Sequence, residues 1–284
     1  MGLLSGLSNL GLGKLEEAKI YEDEEEKEVV QEEVKKEPSA PAFNELDVLF
    51  DKSYECPVCG SKFTSRTVRT GKARLIGQDP DLRPRYDKFE PAKYEVVVCP
   101  SCGYAVLSRY FQALPQVQIK LLKDNICGKV KGIPNSPVYT FDEAIQRYQL
   151  ALASTIVKKG KDSEKGYICL KMAWIIRAKK ESIADDAPNY DEIMNQLRMD
   201  ENEALKGAYE GFIAARQKET FPIAGMDEMT LDYIMAVLSA RFSHYDVAQK
   251  LVGAIITSKV ANERIKERAR ELREQIKIEM EMAN

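Results

Sequence analysis

The residues best suited to chemistry are four cysteines that occur as two pairs with the same spacing. The first pair lies in YECPVCGSKF, residues 54–63, and the second in VVCPSCGYAV, residues 97–106. Each pair places two thiols three positions apart around a proline, and a glycine follows. Four thiolates delivered by two such turns are a common ligand set for a structural zinc ion. We therefore predict that one Zn²⁺ is bound by Cys56, Cys59, Cys99 and Cys102.

Other uses of the cysteine pairs fit the sequence less well. A thioredoxin-type redox pair begins a helix in a βαβ unit, and neither pair has that setting. An iron–sulfur cluster also takes four cysteines, but strand-like segments flank both pairs, as in the two facing hairpins of a zinc ribbon. The remaining alternative is two unconnected pairs of surface thiols. Six cysteines in a reducing compartment are not expected to form a disulfide framework.

No second set of residues suggests catalysis. A zinc ion with four cysteine ligands is closed, whereas catalytic zinc keeps an open position for water. The single histidine, His244, is predicted to face solvent in a turn, and Cys127 and Cys169 to be small core residues. Asp79 and Asp81 form a lone acidic pair, which caps a turn more often than it catalyses. The sequence therefore predicts no enzyme and no catalytic residue.

Between the two pairs lies an insert of 39 residues, which is too long for a plain loop in a compact ribbon. Its guanidinium groups suit two-point recognition of phosphate or carboxylate, and its tyrosine could stack on a base. The candidate anion-binding or partner-binding residues are Arg66, Arg69, Lys72, Arg74, Arg83, Arg85 and Tyr86. In the alternative interpretation these side chains face water or pair with Asp79, Asp81, Asp87 and Glu90.

The uneven charge divides the chain into three predicted parts. The net charge is -3, but residues 1–52 hold 14 acidic and 6 basic side chains, and residues 56–111 hold 10 basic and 5 acidic ones. We predict a disordered acidic leader at 1–45, a four-cysteine module at 46–111 and a helical domain at 112–284. The apolar start of the leader is interpreted as a tail or as a docking peptide for a partner or for the chain's own body.

The sequence predicts an α+β fold that is mainly α. Residues 53–111 have the β-branched and aromatic composition of strands. Beyond residue 115 the apolar spacing becomes helical, with a capping box at Thr140 and Glu143 and caps at Ser163 and Asp227. Helices are predicted near 115–130, 141–158, 163–183, 189–217, 228–242, 246–258 and 261–282. They are expected to pack as successive hairpins, with the third helix between two neighbours.

The helical part is similar to tetratricopeptide repeats in one segment. In YIMAVLSARFSHYDVAQKLVGAII, Tyr245 precedes Ala248 by three positions, which lets a small residue lie where two helices approach. The 34-residue period does not recur regularly, so an irregular tetratricopeptide-like array is predicted.

The two cysteine turns, the segment RTGKARLIGQDPDLRPRY and the helical AWIIR stretch together resemble a bacterial family, domain of unknown function number 2225. The resemblance covers about residues 50–260. It implies zinc ligation by all four cysteines of the two pairs and supplies no activity.

Two functions remain open from the sequence. The first is a non-enzymatic adaptor that binds a protein or peptide on its helical surface while zinc folds the ribbon. The second is a regulator that binds nucleic acid through the basic module. No stretch approaches the roughly 18 apolar residues of a membrane span, and MGLLSGLSNLGLGKL lacks the basic start of a secretory signal. A cytoplasmic protein without a membrane span is therefore expected.

Overall fold

The computed structural model describes Gly11, residues 43–133 and residues 136–282. Almost all of the predicted leader, residues 1–45, therefore lies outside the described residues, and so does the prediction that it is disordered. Six short strands come first. They are β1 (Leu49–Glu55), β2 (Lys62–Val68), β3 (Leu75–Gln78), β4 (Pro84–Tyr86), β5 (Val96–Val98) and β6 (Ala105–Leu107).

The strands form three antiparallel pairs: β1 with β2, β3 with β4, and β5 with β6. The first pair runs in register from Leu49 opposite Val68 to Glu55 opposite Lys62. One cysteine turn joins β1 to β2, and the other joins β5 to β6. The predicted order of strand, turn and strand therefore occurs twice. The second pair lies in the insert and carries a register shift between Leu75 and Gly77.

Seven helices follow the strands, as predicted, and the α+β, mainly α fold class is confirmed. They are α1 (Gln116–Asn125), α2 (Phe141–Val157), α3 (Asp162–Ser182), α4 (Tyr190–Lys218), α5 (Glu228–Arg241), α6 (Tyr245–Thr257) and α7 (Glu263–Met282). The capping box at Thr140 and Glu143 is present at the start of α2. Asp227 caps α5 by accepting a hydrogen bond from the Thr230 amide. None of the seven described helices has the length and apolarity needed to cross a bilayer.

Two helix ends differ from the prediction. Ser163 does not cap α3; its amide and hydroxyl donate to the Glu219 carboxylate at 2.9 and 2.6 Å. The Glu219 carboxylate at the end of α4 thus accepts the hydrogen bonds that the first turn of α3 donates. No local sequence pattern predicts that contact. Helix α1 ends at Asn125 and not near residue 130, because Gly128 adopts a left-handed conformation (φ +73°) in the turn that follows.

Helix α3 lies between α2 and α4, as its two apolar stripes predict. Its crossing with α4 is very close, because a Cβ atom added to Gly211 would lie 2.7 Å from the Gly166 Cα. Glycine weakens a helix interior by roughly 0.5–1 kcal/mol relative to alanine. Here the missing side chains let the two backbones touch, which explains glycine at both positions.

One hydrophobic core crosses the predicted domain boundary at residue 111. Val96, Tyr104 and Val106 of the ribbon pack in the same buried cluster as Leu150 of α2 and Leu170 of α3. Two hydrogen bonds reinforce the contact, from the Ala105 amide to Ser154 Oγ at 3.2 Å and from the Tyr148 hydroxyl to the Ala92 carbonyl at 2.9 Å. A second cluster joins α5, α6 and α7. The ribbon is therefore packed directly on the helical part.

Candidate metal centre

The two cysteine turns have the same backbone geometry. In the first, the Cys56 amide donates to the Ser61 carbonyl and the Gly60 amide to the Cys56 carbonyl, both at 2.9 Å. Cys99, Tyr104 and Gly103 repeat these two bonds at 2.9 Å in the second turn. Both glycines have positive φ, +73° and +79°, which an L side chain adopts only with strain. The glycine in each motif is thus required by the tight turn.

The four cysteines that the sequence predicts as ligands come together at one point. Their sulfur atoms all lie within 4.8 Å of one another. The Sγ atoms of Cys56 and Cys102 are 3.6 Å apart, and those of Cys59 and Cys99 are 3.7 Å apart. A tetrahedron with metal–sulfur bonds of about 2.3 Å has edges of about 3.8 Å, whereas a disulfide brings two sulfurs to about 2.05 Å. The spacing fits four ligands around a single metal ion.

Neighbouring groups shift the pKa values of these thiols. Contacts with Cys102 and Cys56 lower the pKa of Cys99, and contacts with Cys56 and Cys99 raise the pKa of Cys102. The Ser61 hydroxyl lies 3.0 Å from Cys59 Sγ and 3.3 Å from Cys99 Sγ. Four crowded thiols resist ionising together, since like charges repel. A cation at their centre would allow all four to be thiolates, so the donor set fits a metal.

A fifth cysteine lies beside this group, which the sequence did not indicate. Burial raises the pKa of Cys127, and a contact with the Cys102 thiol opposes that shift. The turn after α1 brings it there, and Val130 of the same segment packs on Gly103. Cys169 matches its prediction as a core residue, because it is fully buried and burial raises its pKa to about 12. His244 is exposed in a turn, also as predicted.

The structure separates the predicted binding residues of the insert into three groups. Arg66 pairs with Asp51 at 3.1 Å, and Arg69 donates to the Leu49 carbonyl at 3.0 Å, so both arginines contact β1. Lys72 and Arg74 are exposed and form no ion pair with another described residue. The other three, Arg83, Arg85 and Tyr86, lie towards the helices.

Arg83 is buried, and its guanidinium bonds both carboxylate oxygens of Glu181 on α3, at 2.9 and 2.8 Å. Arg85 is half exposed, 3.5 Å from Asp79. Burial raises the pKa of Tyr86, and Lys171 opposes that shift. Arg83 also lies 3.4 Å from Asp79 and 3.6 Å from Glu90, two partners that the alternative interpretation of the sequence named, whereas Glu181 was not among them.

Asp79 and Asp81 hold the tip of the insert against the helices. Arg177 of α3 donates to Asp79 at 3.0 Å and to Asp81 at 2.7 Å, and its Nε donates to Glu201 of α4 at 2.8 Å. The Trp174 indole also donates to Asp81, at 3.1 Å. Burial opposes ionisation of Glu201, but Lys180 and Arg177 lower its pKa overall. We call these residues, together with Arg83 and Glu181, the insert ion cluster.

The fold and site define a class of protein in which a ribbon with four clustered cysteines, able to hold a metal ion, is packed on helices. The chain belongs to the family described as "Uncharacterized protein conserved in bacteria (DUF2225)", which matches residues 49–276. It is also similar to an "Uncharacterized protein" of Borreliella burgdorferi, with 35% identity over 78 residues. That match covers 25% of this chain and 28% of the relative. No solved structure gives a significant match.

Replacing Cys56 or Cys99 with serine is expected to remove the metal and unfold the ribbon, while most of the helical signal survives. A site with four thiolates loses much of its affinity for the metal when one of them is removed. Metal binding also contributes directly to the folding free energy of such modules. Elemental analysis and far-UV circular dichroism measure the two effects. Cys127→Ser is the matched control and should retain about one metal ion per chain. Wild-type protein with far less than that would contradict the metal site.

Replacing Arg177 with alanine is expected to lower the free energy of unfolding by about 3 kcal/mol, because it removes the guanidinium that the buried carboxylates of Asp79, Asp81 and Glu201 share. Lys179→Ala on the same helix is the control, since its partner Asp142 is half exposed and such pairs contribute about 1 kcal/mol or less. Urea denaturation of both variants measures the difference. Equal losses in the two variants would mean that the insert ion cluster contributes no more than a surface pair.

Proposed function

We propose that this chain is a non-enzymatic, zinc-binding adaptor that acts in the cytoplasm and binds a protein or peptide partner. The observation that carries the proposal is the spacing of the four sulfur atoms around one point, within a ribbon that shares its core with the helices. Zinc favours four thiolates in a tetrahedron. Such an ion would be held by Cys56, Cys59, Cys99 and Cys102 and would supply a cross-link.

A closed set of four thiolates supports a structural use of the metal. Catalytic zinc needs a free position for water or substrate, and four sulfurs with these spacings fill a tetrahedron. The cross-link would fix both ends of the insert. It would thereby hold the insert tip, Asp79 to Asp81, in register with Arg177 and Trp174 of α3.

A groove beside the insert tip supports the partner site. It has a cavity volume of about 530 Å³, within the usual range for ligand sites. Gln78 and Pro80 of the insert form one wall, and Tyr233 of α5 lies between them and α7. The α7 side chains that line the groove are both acidic and basic, among them Arg268 and Glu271. The partner would therefore contact the tetratricopeptide-like helices and the insert together.

A second candidate function, nucleic-acid binding, is favoured by a charge asymmetry. Residues 56–78 contain five basic and no acidic side chains. On the hairpin of β1 and β2, Tyr54 and Phe63 stack with ring centroids 5.8 Å apart, and Lys52 lies 5.3 Å from the Tyr54 ring centre. Cations beside aromatic rings are the features that bind single strands. Because Arg83 is engaged internally, Lys72 and Arg74 are the better residues for testing this function.

The adaptor function predicts that Glu271→Arg weakens partner binding. Reversing one charge in the groove is expected to weaken a complementary peptide at least tenfold, which corresponds to about 1.4 kcal/mol. The matched control is Glu274→Arg, an exposed position of α7 that does not line the groove. Proteins captured by wild type would be purified, and their affinities for wild type, Glu271→Arg and the control would be measured by calorimetry. Unchanged affinity for Glu271→Arg would contradict a partner site in this groove.

The nucleic-acid function predicts that Lys72→Ala with Arg74→Ala weakens RNA or DNA binding. If each cation contacts one phosphate, the slope of log K against log salt concentration should fall by about 1.4 to 1.8. Arg273→Ala with Lys277→Ala removes two exposed cations from α7 and serves as the control. Fluorescence anisotropy across a salt series measures the slope. No binding by wild type at low salt would remove this candidate.

A further inference from the structure

Strand β3 presents an unusual exposed edge. Leu75 and Ile76 are adjacent in the strand, and 55% and 60% of their surfaces are exposed. Among the described strands, β3 pairs with β4 alone, so its other edge has no partner strand. Exposed strand edges with apolar side chains are sites where another extended segment can add by backbone hydrogen bonds.

Contacts at both ends hold this edge in place. At one end the Asp87 amide donates to the Arg74 carbonyl at 2.9 Å. At the other, Gln78 accepts hydrogen bonds from Arg264 and Arg268 of α7, both at 3.1 Å. A binding edge that is already ordered loses little conformational entropy when it is occupied.

The charge around β3 selects an acidic partner. Lys72 and Arg74 lie immediately before the apolar pair, and neither forms an ion pair with a described residue. The apolar side chains here are aliphatic, whereas single-stranded nucleic acid is held chiefly by stacking on aromatic rings. An extended peptide with carboxylates beside aliphatic residues therefore complements this edge better than a nucleic acid does.

One such sequence occurs in the chain itself, outside the described residues. Residues 22–34 read EDEEEKEVVQEEV and contain eight acidic side chains, one basic side chain and the pair Val29 and Val30. The described chain resumes at Phe43, which stacks on Phe89 with ring centroids 5.5 Å apart. Phe89 is two residues beyond Asp87, at the end of the β3–β4 pair.

The intervening sequence is long enough to reach the strand. The 13 residues from Val30 to Phe43 span up to roughly 45 Å when extended. Attachment through the same chain gives such a segment a local concentration on the order of millimolar, so weak contacts suffice for binding.

We propose that residues 22–34 of this chain bind along the exposed edge of β3. Val29 and Val30 contact Leu75 and Ile76, and the flanking carboxylates pair with Lys72 and Arg74. The acidic segment thereby occupies a basic surface, and anionic partners must compete with it. This proposal goes beyond the adaptor function and does not depend on the groove at α7.

Hydrogen exchange of the full-length chain, followed by mass spectrometry, tests the proposal. At low salt the amides of residues 75–77 are expected to exchange about tenfold more slowly in wild type than in Val29→Asp with Val30→Asp. Lys72→Glu with Arg74→Glu should show the same faster exchange. The matched control is Ala40→Asp with Ala42→Asp, which adds the same charge outside the segment and should behave as wild type. Protection should weaken as salt rises, since ion pairs are screened.

A second measurement separates lost binding from a disturbed fold. A synthetic peptide of residues 22–34 is added to the full-length Val29→Asp and Val30→Asp variant, and it should restore protection at residues 75–77. The same peptide carrying the two aspartates should not. Equal exchange in wild type and the valine variant, without protection by the peptide, would overturn the proposal. Protection of these amides by oligouridine but not by the peptide would also overturn it, in favour of nucleic acid.

Discussion

Each of the bonds from Arg177 on α3 reaches a carboxylate that belongs to another part of the chain, namely Asp79 and Asp81 of the insert or Glu201 of α4. Burying charges costs free energy unless every charge has a partner, and the loss of one partner leaves the others uncompensated. Loss of one member of the insert ion cluster is therefore expected to destabilise the contacts of the others. Formation of the cluster fixes how the ribbon, the insert and the helices are arranged.

The four-cysteine site and the insert ion cluster lie on the same stretch of chain. Residues 60–98 connect the two cysteine pairs. Their middle is held against α3 by the bonds of Arg83 to Glu181 and of Arg177 to Asp81. Arg177 also bonds Glu201 of α4. On the chain-entropy model, closing a loop of this length reduces the entropy of the unfolded state by the equivalent of about 4 kcal/mol. A metal ion that linked Cys56 to Cys102 would thus favour the ion cluster without contacting it, because the insert of the unfolded chain would have fewer conformations.

The features that sequence analysis predicted correctly are those set by neighbouring residues. Both cysteine turns depend on contacts within five positions, and the bounds of most helices follow from apolar spacing and from caps such as Thr140. What it missed depends on distant residues. Arg83 meets Glu181 across 98 positions, and Glu219 caps α3 across 56 positions. Cys127 approaches the metal site only because α1 ends early. No local sequence pattern predicts such contacts. The position of the insert against α3 and α4 could therefore be found only from the structure.

The ion pairs and hydrogen bonds of the basic residues also indicate which of these residues the fold does not require. Of the basic residues between the cysteine pairs, Arg66 and Arg69 contact β1, while Arg83 and Arg85 pair with acidic residues of the insert and of α3. Lys62, Lys72, Arg74 and Lys88 are exposed and form no ion pair with a described residue, and of these Lys72 and Arg74 lie near the exposed side chains of Leu75 and Ile76. Long cations with no internal partner stabilise the fold little. The position of Lys72 and Arg74 on an apolar strand edge is better explained by recognition than by folding, so this edge is an expected binding surface in addition to the groove at α7.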